Sequence, residues 1–461
     1  MSSARGWRQL SPLARLSLSP SMNKSILKIA IPSILTNITV PLLGLVDTAI
    51  VGHLGSAAYI GAIALGTTLM SMAYWGFGFL RMSTGGLTAQ AVGEVNRERC
   101  FTLLVRSLTW ALLIATLLIL LQTPLLHAVL YIAEGTEEVR QLATTYFRIL
   151  IWGAPAVLCL NSMNGWFIGM QNATIPLLIA VVQNLVNITV SCFLVFGLHW
   201  TLEGVATGTL VAQYTGFILA SCLVLRFRPL PSLATLRAAL GRNSLFDTTF
   251  LRMNRDIFLR TLCLLAVTSF FTFSGARQGD LILSANALLM QFFLLFSYFM
   301  DGFAYAGEAL CGKAWGGANR DAFQRTTRHL FIWGSGLSVV ATLIYYFAGS
   351  QLLTVLTDHS AVIECAQAYL PYVCVIPLFS FSAFLYDGIF IGISFTSGML
   401  RALAVATVIF FVLHLFLSPS MGNTALWLAF LAYLGTRGAV SWWMLRGKVM
   451  TVCSVLNKLT L

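Results

Sequence analysis

Four carboxylates stand inside or at the edge of long apolar runs: Asp47, Asp301, Glu308 and Asp387. In hydrocarbon an ionisable side chain costs about 2.5 to 3.5 kcal/mol at the centre of a helix unless it is paired or hydrated, so such a residue marks a functional site by default. Asp47 is the most isolated. It stands in Pro41-Leu-Leu-Gly-Leu-Val-Asp47-Thr-Ala-Ile-Val-Gly52, with no cation within one helical turn. A carboxyl there can bind and release a proton or a cation as its surroundings change. The alternative is an inert carboxylate that reaches water at a helix end, since Lys28 to Asp47 is about 28 Å of helix.

Other polar groups are graded against the same apolar background. Gln183, Asn184, Asn187 and Ser191 share one run, and Thr207 and Thr209 lie on the next. Asn187 and Ser191 are one turn apart on a common face. Amides in spans often join helices, so Asn184 reads as interhelical glue, while Asn187 is open between glue and site. Tyr298, Asp301, Tyr305 and Glu308 fall at i, i+3, i+7 and i+10, a polar stripe along one apolar helix. Glu308 and Asp387 lie near the ends of their runs, where water would solvate them or Arg81 would neutralise one. Gly307 to Lys313 has the spacing of a phosphate-binding loop, but Ala314 replaces the required hydroxyl and no strand precedes it. No hydrolase or zinc-protease motif occurs and the six histidines are scattered, so no enzyme, metal site or cofactor is expected. Transport would then draw on an ion gradient or on nothing.

The elements that must position these residues follow from composition. Of 461 residues, 58% are hydrophobic and 10% charged, with a mean hydropathy of +0.83. This describes an all-α polytopic membrane protein. An outer-membrane barrel would need alternating strands of about ten residues, not unbroken apolar runs. Twelve spans are expected, near 29–52, 59–82, 102–123, 142–167, 174–197, 203–225, 257–276, 281–305, 327–348, 366–387, 397–417 and 424–445. Pro32 and Pro41 free backbone groups in the first and predict a bend there. The net charge of +12 does not imply nucleic acid, because the basic tract from Arg226 to Arg260 separates two blocks of spans and lacks aromatic interleaving. With 23 of the 28 basic residues on one side of this topology, the positive-inside rule places both termini in the cytoplasm. Residues 1–21 lack the apolar core of a signal peptide, and Met22 is an alternative start. Five of the nine cysteines (Cys159, Cys192, Cys222, Cys263 and Cys374) lie in apolar runs and read as small buried hydrophobes.

The chain also repeats. At a fixed offset of 223 residues Val46 to Glu98 aligns without gaps on Ser269 to Asp321, and Gly165-x-Phe167-Ile168-Gly169 meets Gly388-x-Phe390-Ile391-Gly392. Six spans is an even number, so the halves enter the membrane in the same orientation, as parallel transporter repeats do. The expected domains are a basic extension (1–22), an N-lobe (23–226), a cytoplasmic linker (227–255), a C-lobe (256–447) and a cytoplasmic tail (448–461).

Ile38 to Leu54, Phe79-Leu-Arg-Met-Ser-Thr84, Gly86-Leu-Thr-Ala-Gln90 and Asp301-Gly-Phe-Ala-Tyr305 resemble the DinF branch of the multidrug and toxic compound extrusion (MATE) family. The resemblance covers about Met22 to Lys448. It implies a V-shaped fold of two six-helix lobes and cation-coupled efflux of small amphipathic organic compounds across the inner membrane, by a monomer embedded in lipid. It also gives Asp47 the role of first-span coupling carboxylate, Asn187 that of fifth-span amide and Thr209 that of sixth-span hydroxyl. Ser191 stands where the family commonly has an aspartate, a departure that favours protons over Na+. A lipid-linked precursor flippase of the same superfamily is the alternative, and it would need intramembrane cations such as Arg81, Arg148 and Arg437.

Overall fold

The computed structural model describes residues 22–52, 57–132, 136–227 and 232–458; the expected extension up to residue 21 lies outside them. In the first half the helices are α1 (Met22–Gly52), α2 (Ala57–Trp75), α3 (Phe79–Gly93), α4 (Arg97–Leu120), α5 (Gln122–Ile132), α6 (Glu137–Leu150), α7 (Ala154–Gly169), α8 (Thr174–Cys192) and α9 (Leu202–Val224). The short α10 (Leu233–Leu240) and α11 (Arg242–Leu245) follow. Then come α12 (Thr248–Ala276), α13 (Asp280–Gly316), α14 (Arg320–Leu356), α15 (Ser360–Gly392), α16 (Thr396–Met421) and α17 (Asn423–Lys458). Helices prevail because hydrocarbon offers no partner to backbone N–H and C=O groups, so each segment must satisfy its own. Among the described residues, nine helical stretches are long and apolar enough to cross a membrane. The α2–α3 pair, α1 and α17 occupy the other three of the twelve expected spans. Helix α5 was not anticipated; nearly all of it falls in the connection expected between residues 123 and 142.

The internal repeat reappears as identical contacts inside each half. A Cβ on Gly165 would lie 2.1 Å from the carbonyl oxygen of Arg81, and one on Gly388 would lie 2.1 Å from that of Ala304, its counterpart at the same offset. Gly169 and Gly392 repeat the relation at 2.6 Å, against the carbonyl oxygens of Gly85 and Glu308. These pairs, four residues apart, let α7 meet α3, and α15 meet α13, backbone to backbone. The turns match as well. Asn96 and Asn319 cap α4 and α14 by accepting from the third backbone N–H at 2.9 Å, each preceded by a residue with positive φ, Val95 at 57° and Ala318 at 52°. One difference stands out. The second span breaks between Trp75 and Phe79 around Gly76 and Gly78, whereas α13 runs unbroken past Asp301, the counterpart of Gly78. Gly307 to Lys313, whose spacing resembles a phosphate-binding loop, is interior helix in α13.

The chain forms two compact units, one of residues 31–254 and one in which 22–30 join 255–458. In the second, Asn23 Oδ1 accepts from Trp333 Nε1 at 3.2 Å and lies 2.8 Å from His329 Nδ1, fixing the start of α1 on α14. In the first, the described part of the linker is packed, not loose. Arg106 Nη2 donates to Ser244 Oγ at 3.2 Å, lies 3.6 Å from Asp247 and stacks on the buried Phe250 ring. Trp110 Nε1 donates to the Leu245 carbonyl at 3.1 Å. Arg106, counted by sequence with the cytoplasmic charges, is therefore a buried residue of α4 that holds the linker.

Because Gly165 and Gly388 face backbone, which cannot swing aside, Gly165→Ala and Gly388→Ala should each destabilise the purified protein by about 1 to 3 kcal/mol. Gly336→Ala, with nothing within 4 Å of the new methyl, should leave thermal melting unchanged. Equal melting for all three would refute the contact.

Candidate functional site

Helices α1, α8 and α9 bring Asp47, Asn187 and Thr209 into one hydrogen-bonded chain. Asn187 Nδ2 donates to Thr209 Oγ1 at 2.9 Å, and the Thr209 hydroxyl is shared between the Val205 carbonyl at 3.0 Å and Asp47 Oδ2 at 3.4 Å. Asp47 is 4% exposed, and Asn187 and Ser191 are fully buried. Glycines on α9 permit the approach of α8. A Cβ on Gly208 would fall 2.2 Å from Ser191 Oγ, and one on Gly216 2.4 Å from the Gln183 side chain. A single π turn, Phe193–Gly197, follows α8 directly. Asn184 Nδ2 donates to the Thr39 carbonyl at 3.3 Å, tying α8 to α1 as the interhelical-glue reading expects. Pro32 and Pro41 lie inside the continuous α1.

Every partner of Asp47 in this chain is electrically neutral. Asp47 Oδ1, Asn187 Oδ1 and Ser191 Oγ are buried and make no hydrogen bond. A carboxyl oxygen, an amide oxygen and a hydroxyl thus sit in the same helix triad with free lone pairs, and buried polar groups are seldom left so. A proton on Asp47 or a small cation would use them. Among the described residues no group of three His, Cys, Asp or Glu side chains could hold a metal ion.

The secondary carboxylates belong to the other unit. Asp301 and Glu308 lie on α13, and Glu308 is completely buried, contrary to the expectation that water reaches it. Asp387 is likewise buried, and its cations are not Arg81. Asp387 Oδ2 accepts from both Arg260 and Arg437, joining α15 to α12 and α17. Arg260, assigned by sequence to the basic linker tract, is thus an interior residue, and Arg437 also stacks on Phe384 at 5.6 Å. Asp301 is close enough to interact electrostatically with Arg437.

A MatE family model matches residues 32–193 and 257–419, once in each half of the repeat. The chain belongs to the MatE family. The members of this family are transporters, not enzymes. This MatE chain is 37% identical to the DNA damage-inducible protein F of Escherichia coli (strain K12) over 420 residues, 91% of each chain. It is 29% identical over 198 residues to the multidrug resistance protein MdtK of Cronobacter sakazakii, covering 41% of this chain and 42% of that one. An outward-facing multidrug resistance MATE family transporter superposes with a TM-score of 0.82 at 18% identity, over 95% of this chain and 97% of that one. The matched segments contain Asp47, Asn187 and Ser191 in the first half and Arg260 and Asp387 in the second.

Tyr146 on α6 completes the surroundings of Asp47 in this MatE chain and was missed by sequence reasoning. It is buried, interacts electrostatically with Asp47, and packs where a Cβ on Gly66 would fall 2.4 Å from its ring. Its only sequence signal is a tyrosine among apolar neighbours, which does not separate it from core residues. The Asp387 cluster was missed because its members are 127 and 50 residues apart in sequence.

The two aspartates should respond oppositely to neutralisation. Asp387→Asn leaves two guanidiniums facing each other, and breaking such a buried network should cost about 3 to 5 kcal/mol. Asp47→Asn removes no ion pair and should melt within about 1 kcal/mol of the parent. Thermal melting of the purified variants checks this, and a larger loss at Asp47 than at Asp387 would overturn it.

Proposed function

We propose that this protein is a secondary antiporter of the inner membrane, exporting amphipathic cationic or neutral organic compounds by alternating access in exchange for protons. Its termini lie in the cytoplasm, where the basic residues concentrate. One observation carries the reading: Asp47 is buried and, among the described residues, its hydrogen-bond partner is neutral, so a proton or a bound cation would balance its charge. In one access state the carboxyl is protonated from outside; in the other it releases the proton inward and the organic compound occupies the site. The name of the MdtK relative supports a multidrug substrate range. Protons are favoured over Na+ because Ser191 supplies no second negative charge, and a hard cation is held best by several oxygen ligands that include carboxylates.

The flippase reading loses Arg437, one of the three cations it would need. A pyrophosphate needs uncommitted intramembrane cations, and Arg437 and Arg260 are both committed to Asp387.

Dye efflux from inverted vesicles tests the proposal. Wild type should respond to an imposed ΔpH and not to ΔpNa, and Asp47→Asn should lose coupled efflux with normal expression. Thr209→Val, which removes a donor to the carboxyl, should slow efflux without abolishing it. Ser191→Asp should increase Na+ dependence. Full activity in Asp47→Asn would sink the site assignment, and an unchanged ion profile in Ser191→Asp would remove the argument for protons.

A further inference from the structure

Within the unit of residues 255–458, α14, α15 and α17 enclose a cleft of about 740 Å³ that is separate from the Asp47 cluster. Its wall is aromatic. Phe331 packs on Tyr386 at 4.9 Å and on Phe381 at 6.2 Å between ring centroids. Ile332 and Trp442, 56% and 52% exposed, form an open apolar mouth. Arg328 and Arg446 also line the cleft, as do Gln324 and Thr327. Arg446 lies over the Trp442 ring at 5.5 Å. Among the described residues, neither guanidinium is within salt-bridge distance of a carboxylate.

The order of residues along both helices sets the polarity of the cleft. On α14 the charged residues Arg320, Asp321, Arg325 and Arg328 precede the apolar run, and on α17 the apolar run gives way to Arg446 and Lys448. The two arginines thus mark the polar edge of the hydrocarbon layer, and the aromatic wall lies on its apolar side. From Arg328 to Ser335 the cleft descends about 10 Å along α14. That combination calls for a ligand with an anionic head and an aliphatic body. Guanidinium groups suit a phosphodiester because they donate parallel hydrogen bonds to its oxygens. Basic pockets between spanning helices take anionic lipid headgroups on the same principle.

We propose that this cleft is a binding site for one anionic glycerophospholipid, its phosphate held between Arg328 and Arg446 and an acyl chain laid along Phe331, Ile332 and Trp442. The exported compound of the proposed transport cycle, being cationic or neutral, would be repelled or ignored by two guanidiniums that, among the described residues, face no carboxylate. The cleft is therefore a lipid site and not a second substrate site.

Native mass spectrometry of the full chain, purified in detergent and supplied with phosphatidylglycerol or phosphatidylcholine of the same acyl chains, tests the proposal. Wild type should retain one phosphatidylglycerol in clear preference to phosphatidylcholine. Each of Arg328→Gln and Arg446→Gln should lower that preference by about fivefold, and the pair by more than tenfold. R328K/R446K, which keeps both charges, should preserve most of it and serves as the measurement if the neutral pair fails to fold. Trp442→Ala should weaken retention of both lipids alike. Equal retention of the two lipids by wild type, or an equal loss of preference in Arg401→Gln outside the cleft, would overturn the proposal. So would displacement of the bound lipid by inorganic phosphate alone, which would mark a free-anion site instead.

Discussion

A carboxyl group cannot be left charged and unpartnered in a low-dielectric interior, and the two halves of this protein meet that constraint in opposite ways. Asp387 is bound by two arginines, and the contacts lock α12, α15 and α17 together. Asp47 has, among the described residues, a threonine hydroxyl as its hydrogen-bond partner, backed by an asparagine amide. An arginine does not give up its proton under physiological conditions, so Asp387 always faces two positive charges. A hydroxyl and an amide stabilise a carboxylate modestly and leave room for a proton or ion to complete the balance. The fixed carboxylate is structural and the adjustable one is the candidate for coupling.

The scaffold around them is repeated while the chemistry is not. The glycine pairs of α7 and α15 make the same backbone contacts at the same distances, and the capped turns before α4 and α14 use the same asparagine and the same positive φ. Such features depend on backbone geometry and survive duplication because any side chain at those positions would separate the helices. Asp301, by contrast, falls opposite Gly78, where the second span is broken. A helix break on one side and an acidic residue on an unbroken helix on the other show how the copies diverged in what they hold rather than in how they fold.

Close helix packing also governs the coupling site. Ser191 can lie against α9 only because position 208 is glycine, and Gln183 only because position 216 is. The hydrogen bond from Asn187 to Thr209 requires those same few ångströms. Specificity at Asp47 thus rests on residues that carry no chemistry. A methyl group at Gly208 would act on the carboxyl as surely as a change at Thr209.

Much of this was legible in the sequence. Hydropathy over windows of about twenty residues located the spans, since length and apolarity alone decide whether a helix can cross hydrocarbon. The repeat was visible because glycine, asparagine and phenylalanine recur at one offset. Asp47 drew attention as a charge without a local cation, and Asn187 and Thr209 joined it through the resemblance of their segments to a known family. Pairings across the chain stayed hidden. Arg260 looked like the last charge of a linker, because a basic residue at the start of an apolar run ordinarily marks the membrane surface. Only the approach of α15 and α17 turned it inward onto Asp387. Arg106 and Tyr146 were concealed for the same reason: local periodicity fixes which face of a helix a residue occupies, and tertiary packing alone decides what that face meets.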